Sequence, residues 1–296
     1  MKKSVKIISI VVCVAILAAA VVGVASRAVR VEDGRRIRKA FNEYAERVVR
    51  LRASGEFEDS DDDPALSDWF TAPEGFLPVK DGTVYKSVIN PYDTPEEWDL
   101  LEDAVEMREV SQLPETARNA TTAELVLYCM NYNLFIDFML FDTMQDGMEN
   151  IRSDYNGIRE LMTRPDAAES LIRLYKLYDL DEQKARDSVG CIRLCYLEAM
   201  LCMPEILNSL TAKQAKELAA ACTQKISKIV NDENSPYSVS TTMYLAAVSQ
   251  YAASEEFAEI VNASSGAKRY IEEGILVPDE ISDDTLGRIV SYFQEL

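Results

Sequence analysis

Two aspartates in an otherwise apolar stretch are the first residues of this chain that could do chemistry. Asp137 and Asp142 lie in the segment 134–142, whose remaining residues are all apolar. We expect this segment to form a helix that is apolar almost all round and therefore buried. A carboxyl group buried among apolar side chains has a raised pKa and can act as a general acid. On a helix, however, residues five apart point about 140° away from each other, so these two do not form a paired acid and base. We expect both to be structural, held by arginine or by a helix N-terminus. The candidate arginine partners are Arg118, Arg152 and Arg159.

The other nucleophilic and ligating residue types are sparse. The 296 residues include no histidine, which excludes Ser/His/Asp and Cys/His catalytic systems and histidine-ligated zinc or haem. Cys191 and Cys195 share a helix face, but no CxxC motif accompanies them. We interpret the cysteines as small core residues. The remaining cysteines are Cys13, Cys129, Cys202 and Cys222.

One acidic run has part of the spacing of a calcium-binding loop. Asp59, Asp61 and Asp63 match the first three ligand positions of an EF-hand. Pro64 stands where that loop requires glycine, and Phe70 stands where a bidentate glutamate belongs. There is also no glycine-rich phosphate loop or Walker lysine motif. The sequence therefore predicts no catalytic, cofactor-binding or metal-ligating residue, and no cofactor.

Three tyrosines recur at intervals of seven residues. Tyr237, Tyr244 and Tyr251 would lie on one helix face, near Val248. This stripe could form an aromatic platform for a peptide or glycan. The commoner outcome, which we expect here, is a stripe that faces the core while its hydroxyls reach the surface.

These side chains sit in a chain whose pattern is almost entirely helical beyond Thr94. Capping-box patterns occur at Thr94, Thr121 and Thr211, and further helix starts at Pro165 and Ser282. A small hairpin is possible around residues 81–82. The fold class predicted is all-α, an irregular antiparallel helical bundle or a short α-solenoid behind a single N-terminal transmembrane helix. The predicted helices are 95–110, 122–145, 147–163, 166–178, 181–203, 211–231, 237–252, 255–263, 267–274 and 282–295.

The membrane prediction comes from the N-terminus. A basic tail, residues 1–6, precedes an uncharged stretch at 7–26 that spans about 30 Å as a helix, one hydrocarbon thickness. Arginines follow at once, which favours an uncleaved anchor over a cleaved signal peptide. The positive-inside rule favours a cytoplasmic C-terminal domain, whereas a basic head before an apolar run favours an extracytoplasmic one. We predict a single-pass cell-membrane protein with an extracytoplasmic domain.

Charge divides the rest of the chain. Residues 27–52 carry nine basic and four acidic residues, whereas 53–296 carry 19 basic and 46 acidic ones. Such an acidic domain disfavours nucleic-acid binding. The domains predicted are a basic tail (1–6), an anchor or signal segment (7–26), a basic amphipathic juxtamembrane helix (27–53), an acidic linker (54–66) and a helical domain (67–296).

A series of short motifs runs through roughly residues 110 to 235. They include Leu113-Pro114-Glu115, Thr121-Thr122-Ala123-Glu124, Tyr132-Asn133-Leu134, Asn156-Gly157, Arg164-Pro165-Asp166-Ala167 and Met203-Pro204-Glu205-Ile206-Leu207. In these motifs the chain resembles uncharacterised exported proteins of Gram-positive anaerobes. The resemblance implies export and an all-helical domain, and it implies no reaction.

The function predicted from these features is binding rather than catalysis. We expect a membrane-anchored extracytoplasmic module that contacts the bilayer through residues 7–26 and binds a protein partner with a cationic or apolar surface. Two alternatives stay open. One is a carboxylate-only hydrolase of cell-surface glycan that uses Asp137 or Asp142 as the acid. The other is a cytoplasm-facing membrane adaptor.

Overall fold

The computed structural model describes residues 70, 72–77, 104–113, 117, 119–182, 190–232, 235–274 and 280–296. Every regular element in these ranges is a helix, which confirms the predicted all-α class. The predicted anchor, juxtamembrane helix, acidic linker and hairpin lie outside the described residues. The helices are α1 (Ala104–Val110), α2 (Thr122–Met130), a 3-10 helix (Phe135–Leu140), α3 (Met144–Asp154), α4 (Asn156–Thr163), α5 (Ala167–Leu177), α6 (Gly190–Leu201), α7 (Pro204–Ser209), α8 (Ala212–Asn231), α9 (Val239–Ala253), α10 (Glu255–Asn262), α11 (Ser265–Glu273) and α12 (Asp283–Glu295).

Local sequence signals start several of these helices where they were expected. Thr121 and Thr211 each form a complete capping box, with Glu124 and Gln214 as the third helical residues. In each box the threonine hydroxyl accepts from the backbone N–H of the third residue, whose side chain accepts from the threonine N–H. Ser282 caps α12 in the predicted place. These satisfied N–H groups fix the first turns of α2, α8 and α12.

Two predicted helices are interrupted. The prediction of one helix over 122–145 is wrong, because α2 ends at Met130 and the chain resumes as a 3-10 helix at Phe135. The segment 147–163 was also predicted as one helix, but Tyr155 has extended backbone angles and separates α3 from α4. Its buried ring stacks on Tyr132, with 4.2 Å between centroids. Tertiary packing of these rings therefore overrides the local helical pattern.

The middle of the bundle is α6. It contacts α2, α3, α5, α7, α9 and the 3-10 helix, and nine of its twelve residues are buried. Two of these buried residues are charged, Arg193 and Glu198. Arg193 donates to the carbonyl of Met130 at 2.7 Å and its guanidinium lies 4.7 Å from the centroid of the Phe135 ring. These contacts satisfy a charge that would otherwise be costly to bury.

The described residues form two hydrophobic cores of unequal size. The larger core collects apolar side chains from the whole bundle up to α9. The smaller one consists of Phe257, Val261, Ala267 and Ile281. Aromatic and aliphatic side chains of α11 and α12 pack around the smaller core. The C-terminal helices therefore have a core of their own against one side of the bundle.

Candidate binding cleft

The two aspartates that the sequence singled out lie in different surroundings. Asp137 is half-buried in the 3-10 helix, and Asp142 is exposed just after it. Burial raises the pKa of Asp137, and the charge of Arg108 lowers it while that of Asp154 raises it. Arg108 itself pairs with Asp154, with 3.0 Å between Nε and Oδ2. The arginine that acts on Asp137 is therefore Arg108, which the sequence analysis did not name.

The arginines that we expected to hold the two aspartates have other partners where the structure describes them. Arg152 pairs with Glu149 at 2.7 Å and with Glu205 at 2.5 Å. Arg159 donates to the carbonyl groups of residues 152 and 153. Arg118 lies outside the described residues. For Arg152 and Arg159, the expectation that they hold the aspartates is wrong.

The apolar segment around these aspartates is only partly buried. Phe135 and Phe138 are buried against Tyr196, because residues three apart share a face of a 3-10 helix. The two intervening residues are half-buried, the residues after Phe138 are exposed, and Leu140 is 78% exposed. The prediction that residues 134–142 form a helix buried on all sides is therefore wrong.

The cysteines of the described residues are free thiols. Cys129, Cys202 and Cys222 are buried, and Cys191 and Cys195 are half-buried. Burial raises the pKa of Cys195 to about 12 and that of the three buried thiols above its ordinary value. The thiolate fraction of these four cysteines at neutral pH is therefore small, which makes them poor nucleophiles.

The tyrosine stripe faces inward for most of its length. Tyr237 and Tyr244 are buried, and Tyr251 is half-buried. Their hydroxyls donate to three separate acceptors: Leu180 O at 3.1 Å, Ile271 O at 2.9 Å and Asn262 Oδ1 at 3.1 Å. The geometry fits the core-facing part of the prediction, whereas the buried hydroxyl of Tyr237 does not reach the surface and binds an acceptor of the protein instead.

The most polar part of the large core surrounds Glu198. Its Oε1 accepts hydrogen bonds from Tyr175 at 2.9 Å and Thr242 at 2.6 Å, and its Oε2 accepts one from Thr241 at 2.5 Å. The carboxyl is fully buried. Burial raises its pKa, while the three hydroxyl donors and the charge of Lys225 lower it. This network joins α5, α6 and α9 through one side chain.

Next to this network lies a buried lysine. Lys225, on α8, is 6% exposed, and its ammonium donates to the carbonyl of Tyr178. The Nζ atom lies 4.8 Å from the ring centroid of Tyr175 and 5.6 Å from that of Tyr178. Burial lowers the pKa of Lys225 to about 8, although the charge of Glu198 raises it. Among the described residues, no carboxylate lies within ion-pair distance of this ammonium.

Lys225 forms part of a cleft between α5 and α8. The cleft has a volume of about 350 Å³ and is open on one side. Its buried lining residues, which we call the floor, are Tyr178, Leu180, Ala221 and Lys225. Its more exposed lining residues, which we call the rim, are Lys176, Leu177, Asp179, Glu217, Ala220, Gln224 and Lys228. Six of the eleven lining residues carry charged or amide side chains, so the cleft is more polar than the usual small-molecule site.

The rim lysines differ from Lys225 in having carboxylate partners. Lys176 pairs with Glu217 at 2.9 Å, and Lys228 pairs with Asp179 at 3.0 Å. The hydrogen bond to Asp179 raises the pKa of Lys228, which therefore stays charged at neutral pH. The cleft thus combines two carboxylate-paired lysines at its edge with one lysine at its base that has no carboxylate partner within the described part of the chain.

Sequence reasoning did not find Glu198 or Lys225, although each leaves a signal. Lys225 occupies one position in the stripe formed by Leu218, Cys222, Lys225 and Ile229, which repeats at helical spacing on the buried face of α8. Glu198 stands within an otherwise largely apolar helix. A charged residue in an apolar stripe is a mark of a partnered or functional group.

Comparison with known proteins gives no family model, curated protein or solved structure that matches this chain. The resemblance drawn from the short motifs therefore stays a prediction. Within the described ranges, no helix has the length and apolar character needed to cross a membrane. The same part of the chain contains no cluster of three or more cysteine or carboxylate side chains able to hold a metal ion.

Proposed function

We propose that this protein is a membrane-anchored binding module, with residues 7–26 in the bilayer, an extracytoplasmic helical domain and a ligand site in the cleft between α5 and α8. The main support for the ligand site is that Lys225 is buried in the cleft floor and has no carboxylate partner among the residues that the structure describes. A buried amine costs folding free energy, so its presence in an open cleft favours a functional role over a purely structural one.

The chemistry of the cleft indicates a small organic anion as its ligand. A volume of about 350 Å³ lies at the lower end of small-molecule sites. Leu177, Leu180, Ala220 and Ala221 offer an apolar surface to the body of a ligand. The protonated form of Lys225 offers a positive charge to a carboxylate or phosphate group.

Binding in the cleft can be tested with the full chain and a panel of two- to six-carbon carboxylates. Ligand-observed NMR should detect at least one binder, and Ala220→Phe should abolish its signal because the larger side chain fills the cleft from an exposed position. Ala252→Phe, on an exposed face of α9, is the matched control and should leave binding intact. Equal binding by wild type and Ala220→Phe would place the ligand elsewhere and reject the cleft.

The membrane part of the proposal is tested by a cysteine introduced at an exposed serine. Ser291→Cys, on α12, should react with a membrane-impermeant maleimide in intact cells, with the wild-type chain as background. The chain itself should sediment with membranes. Reaction only after lysis would favour the cytoplasm-facing adaptor, and a chain found in the supernatant would reject the anchor.

A further inference from the structure

We propose that Lys225 captures the carbonyl group of a small aldehyde or 2-oxo acid as a reversible imine in the cleft. This inference rests on the proposed ligand site and names the chemical class of the ligand. It assigns a covalent role to an amine that the binding proposal treats only as a charge.

The geometry distinguishes Lys225 from the other lysines of the cleft. Lys176 and Lys228 are exposed and paired with carboxylates, and the hydrogen bond to Asp179 raises the pKa of Lys228. The Nζ atom of Lys225 faces the two tyrosine rings and the carbonyl of Tyr178 instead. Ring faces and a single carbonyl stabilise an ammonium less than a carboxylate does, and the surrounding apolar side chains disfavour the charge further.

Burial leaves part of the Lys225 side chains as free amine, although most of the nearby charges oppose this effect. Burial is the main cause that lowers the pKa of Lys225 to about 8, and the nearby charge of Lys228 acts in the same direction. Opposing them are Glu198 on α6, Cys222 on α8 and Asp179 after α5. At pH 8 about half of the Lys225 side chains would be neutral, and a neutral amine is the form that attacks a carbonyl carbon.

The reaction needs no redox partner. The lone pair of Lys225 Nζ attacks the carbonyl carbon, and the carbonyl oxygen becomes the hydroxyl of a carbinolamine. One amine proton has moved to that oxygen, and loss of the hydroxyl with the other amine proton releases one water and forms the C=N bond. Hydrolysis reverses each step, so the capture is reversible.

The test is reductive trapping of the full chain with glyoxylate and cyanoborohydride at pH 8, followed by peptide mass spectrometry. Glyoxylate carries an aldehyde and a carboxylate in two carbons, which fits the cleft. The internal comparator is Lys213, on the same helix with a side chain that is 87% exposed. We expect labelling of Lys225 to be at least about tenfold faster, because its lowered pKa leaves a large fraction of free amine at pH 8.

Three variants separate cleft chemistry from general amine reactivity. Ala220→Phe should slow labelling of Lys225 by at least about tenfold and leave Lys213 unchanged, because it closes the cleft without altering the lysine. Ala252→Phe should leave both rates unchanged. Lys225→Arg should remove the labelled peptide, with an unchanged far-UV circular dichroism spectrum showing that the chain is folded.

The outcomes distinguish the two proposals. If carboxylates bind in the cleft but Lys225 is labelled no faster than Lys213, imine formation is rejected and the binding site stands. If Lys225 is labelled quickly in wild type and in Ala220→Phe alike, its reaction does not pass through the cleft and the inference is rejected. If Ala220→Phe changes neither labelling nor carboxylate binding, both proposals fail.

Discussion

Asn131 and Phe70 are joined by hydrogen bonds in both directions, although 61 residues separate them in the chain. The N–H of Phe70 donates to Asn131 Oδ1 at 2.6 Å, and Asn131 Nδ2 donates to the Phe70 carbonyl at 3.1 Å. One buried amide side chain therefore satisfies both backbone groups of Phe70, as a neighbouring strand would. It attaches the segment around residue 70 to the end of α2.

Replacing this amide should be costly. Asn131→Ala leaves the N–H and the C=O of Phe70 buried without these partners, so we expect a loss of about 2–4 kcal/mol in the free energy of unfolding. Urea denaturation of both chains measures the difference. Asn208→Ala, at an exposed position of α7, is the control and should change stability by less than about 0.5 kcal/mol. Similar values for the two variants would contradict the role of the Asn131 pair.

Two glycines should respond to alanine with opposite signs. A Cβ atom at Gly147 would lie 2.0 Å from the carbonyl oxygen of Phe138, so Gly147→Ala forces α3 away from the 3-10 helix. We expect it to destabilise the protein by about 1–3 kcal/mol or more.

Gly287 is exposed in α12, with open space around its Cβ position. Gly287→Ala should stabilise by about 0.5–1 kcal/mol, because alanine loses less backbone entropy in a helix. Thermal unfolding by circular dichroism compares the pair, and a shift of the same sign in both would refute the steric argument.

Removing the Lys225 amine should stabilise the fold at neutral pH. A pKa that falls from 10.5 in the unfolded chain to about 8 in the folded one costs roughly 3 kcal/mol of folding free energy below pH 8. The cost disappears as the pH rises from 8 towards 10.5, since the unfolded chain then loses its proton as well. Lys225→Met keeps most of the side-chain packing and should be more stable than wild type by about 1–3 kcal/mol at pH 7.

Denaturant unfolding at pH 7 and at pH 9.5 measures this difference. The advantage of Lys225→Met over wild type should shrink at the higher pH. Lys213→Met, exposed on the same helix, should show no such pH dependence. A Lys225→Met chain that is less stable than wild type at pH 7 would mean that the ammonium is better stabilised than its contacts indicate.

The Glu198 carboxyl should make stability fall as the pH rises. Its pKa is raised in the folded state. Its contribution to the free energy of unfolding is therefore complete below pH 4.5, the ordinary pKa, and is lost as the pH rises through the raised pKa. Glu198→Gln keeps an acceptor for Tyr175 and Thr242 and cannot ionise. Its stability relative to wild type should therefore improve between pH 4.5 and pH 8, as followed by urea unfolding across that range.

Two further variants make the Glu198 result specific. Glu198→Ala leaves three hydroxyl groups without their acceptor and should cost about 3–5 kcal/mol. Glu259→Gln, at an exposed position of α10, should track wild type at every pH. A Glu198→Gln chain that loses stability relative to wild type as the pH rises would show that the network stabilises the carboxylate more than burial destabilises it.

Local chemistry explains which parts of the fold were predictable. The capping boxes at Thr121 and Thr211 involve residues three apart, so the sequence contains both partners of each bond. The period of α8 likewise follows from the spacing of Leu218, Cys222 and Ile229. The all-helical class and most helix positions after residue 166 follow from signals of this kind.

Features that depend on distant partners were not predictable. The break after α2 involves Asn131, whose partner Phe70 lies 61 residues away. The cleft pairs Lys225 with Tyr178, 47 residues earlier. Glu198 binds Thr242 across 44 residues. No periodicity within a single helix contains this information, so the site emerged only from the packed structure.

The small second core indicates that the C-terminal helices can unfold separately from the rest of the domain. Ile271 and Phe293 contact both cores and are among the apolar links between the C-terminal helices and the bundle. Few buried side chains hold the three C-terminal helices, α10, α11 and α12, in place. We therefore expect their amide protons to exchange through a partial unfolding that leaves the larger core intact. The cleft between α5 and α8 belongs to the larger core, so it should keep its shape while the C-terminal helices unfold and refold.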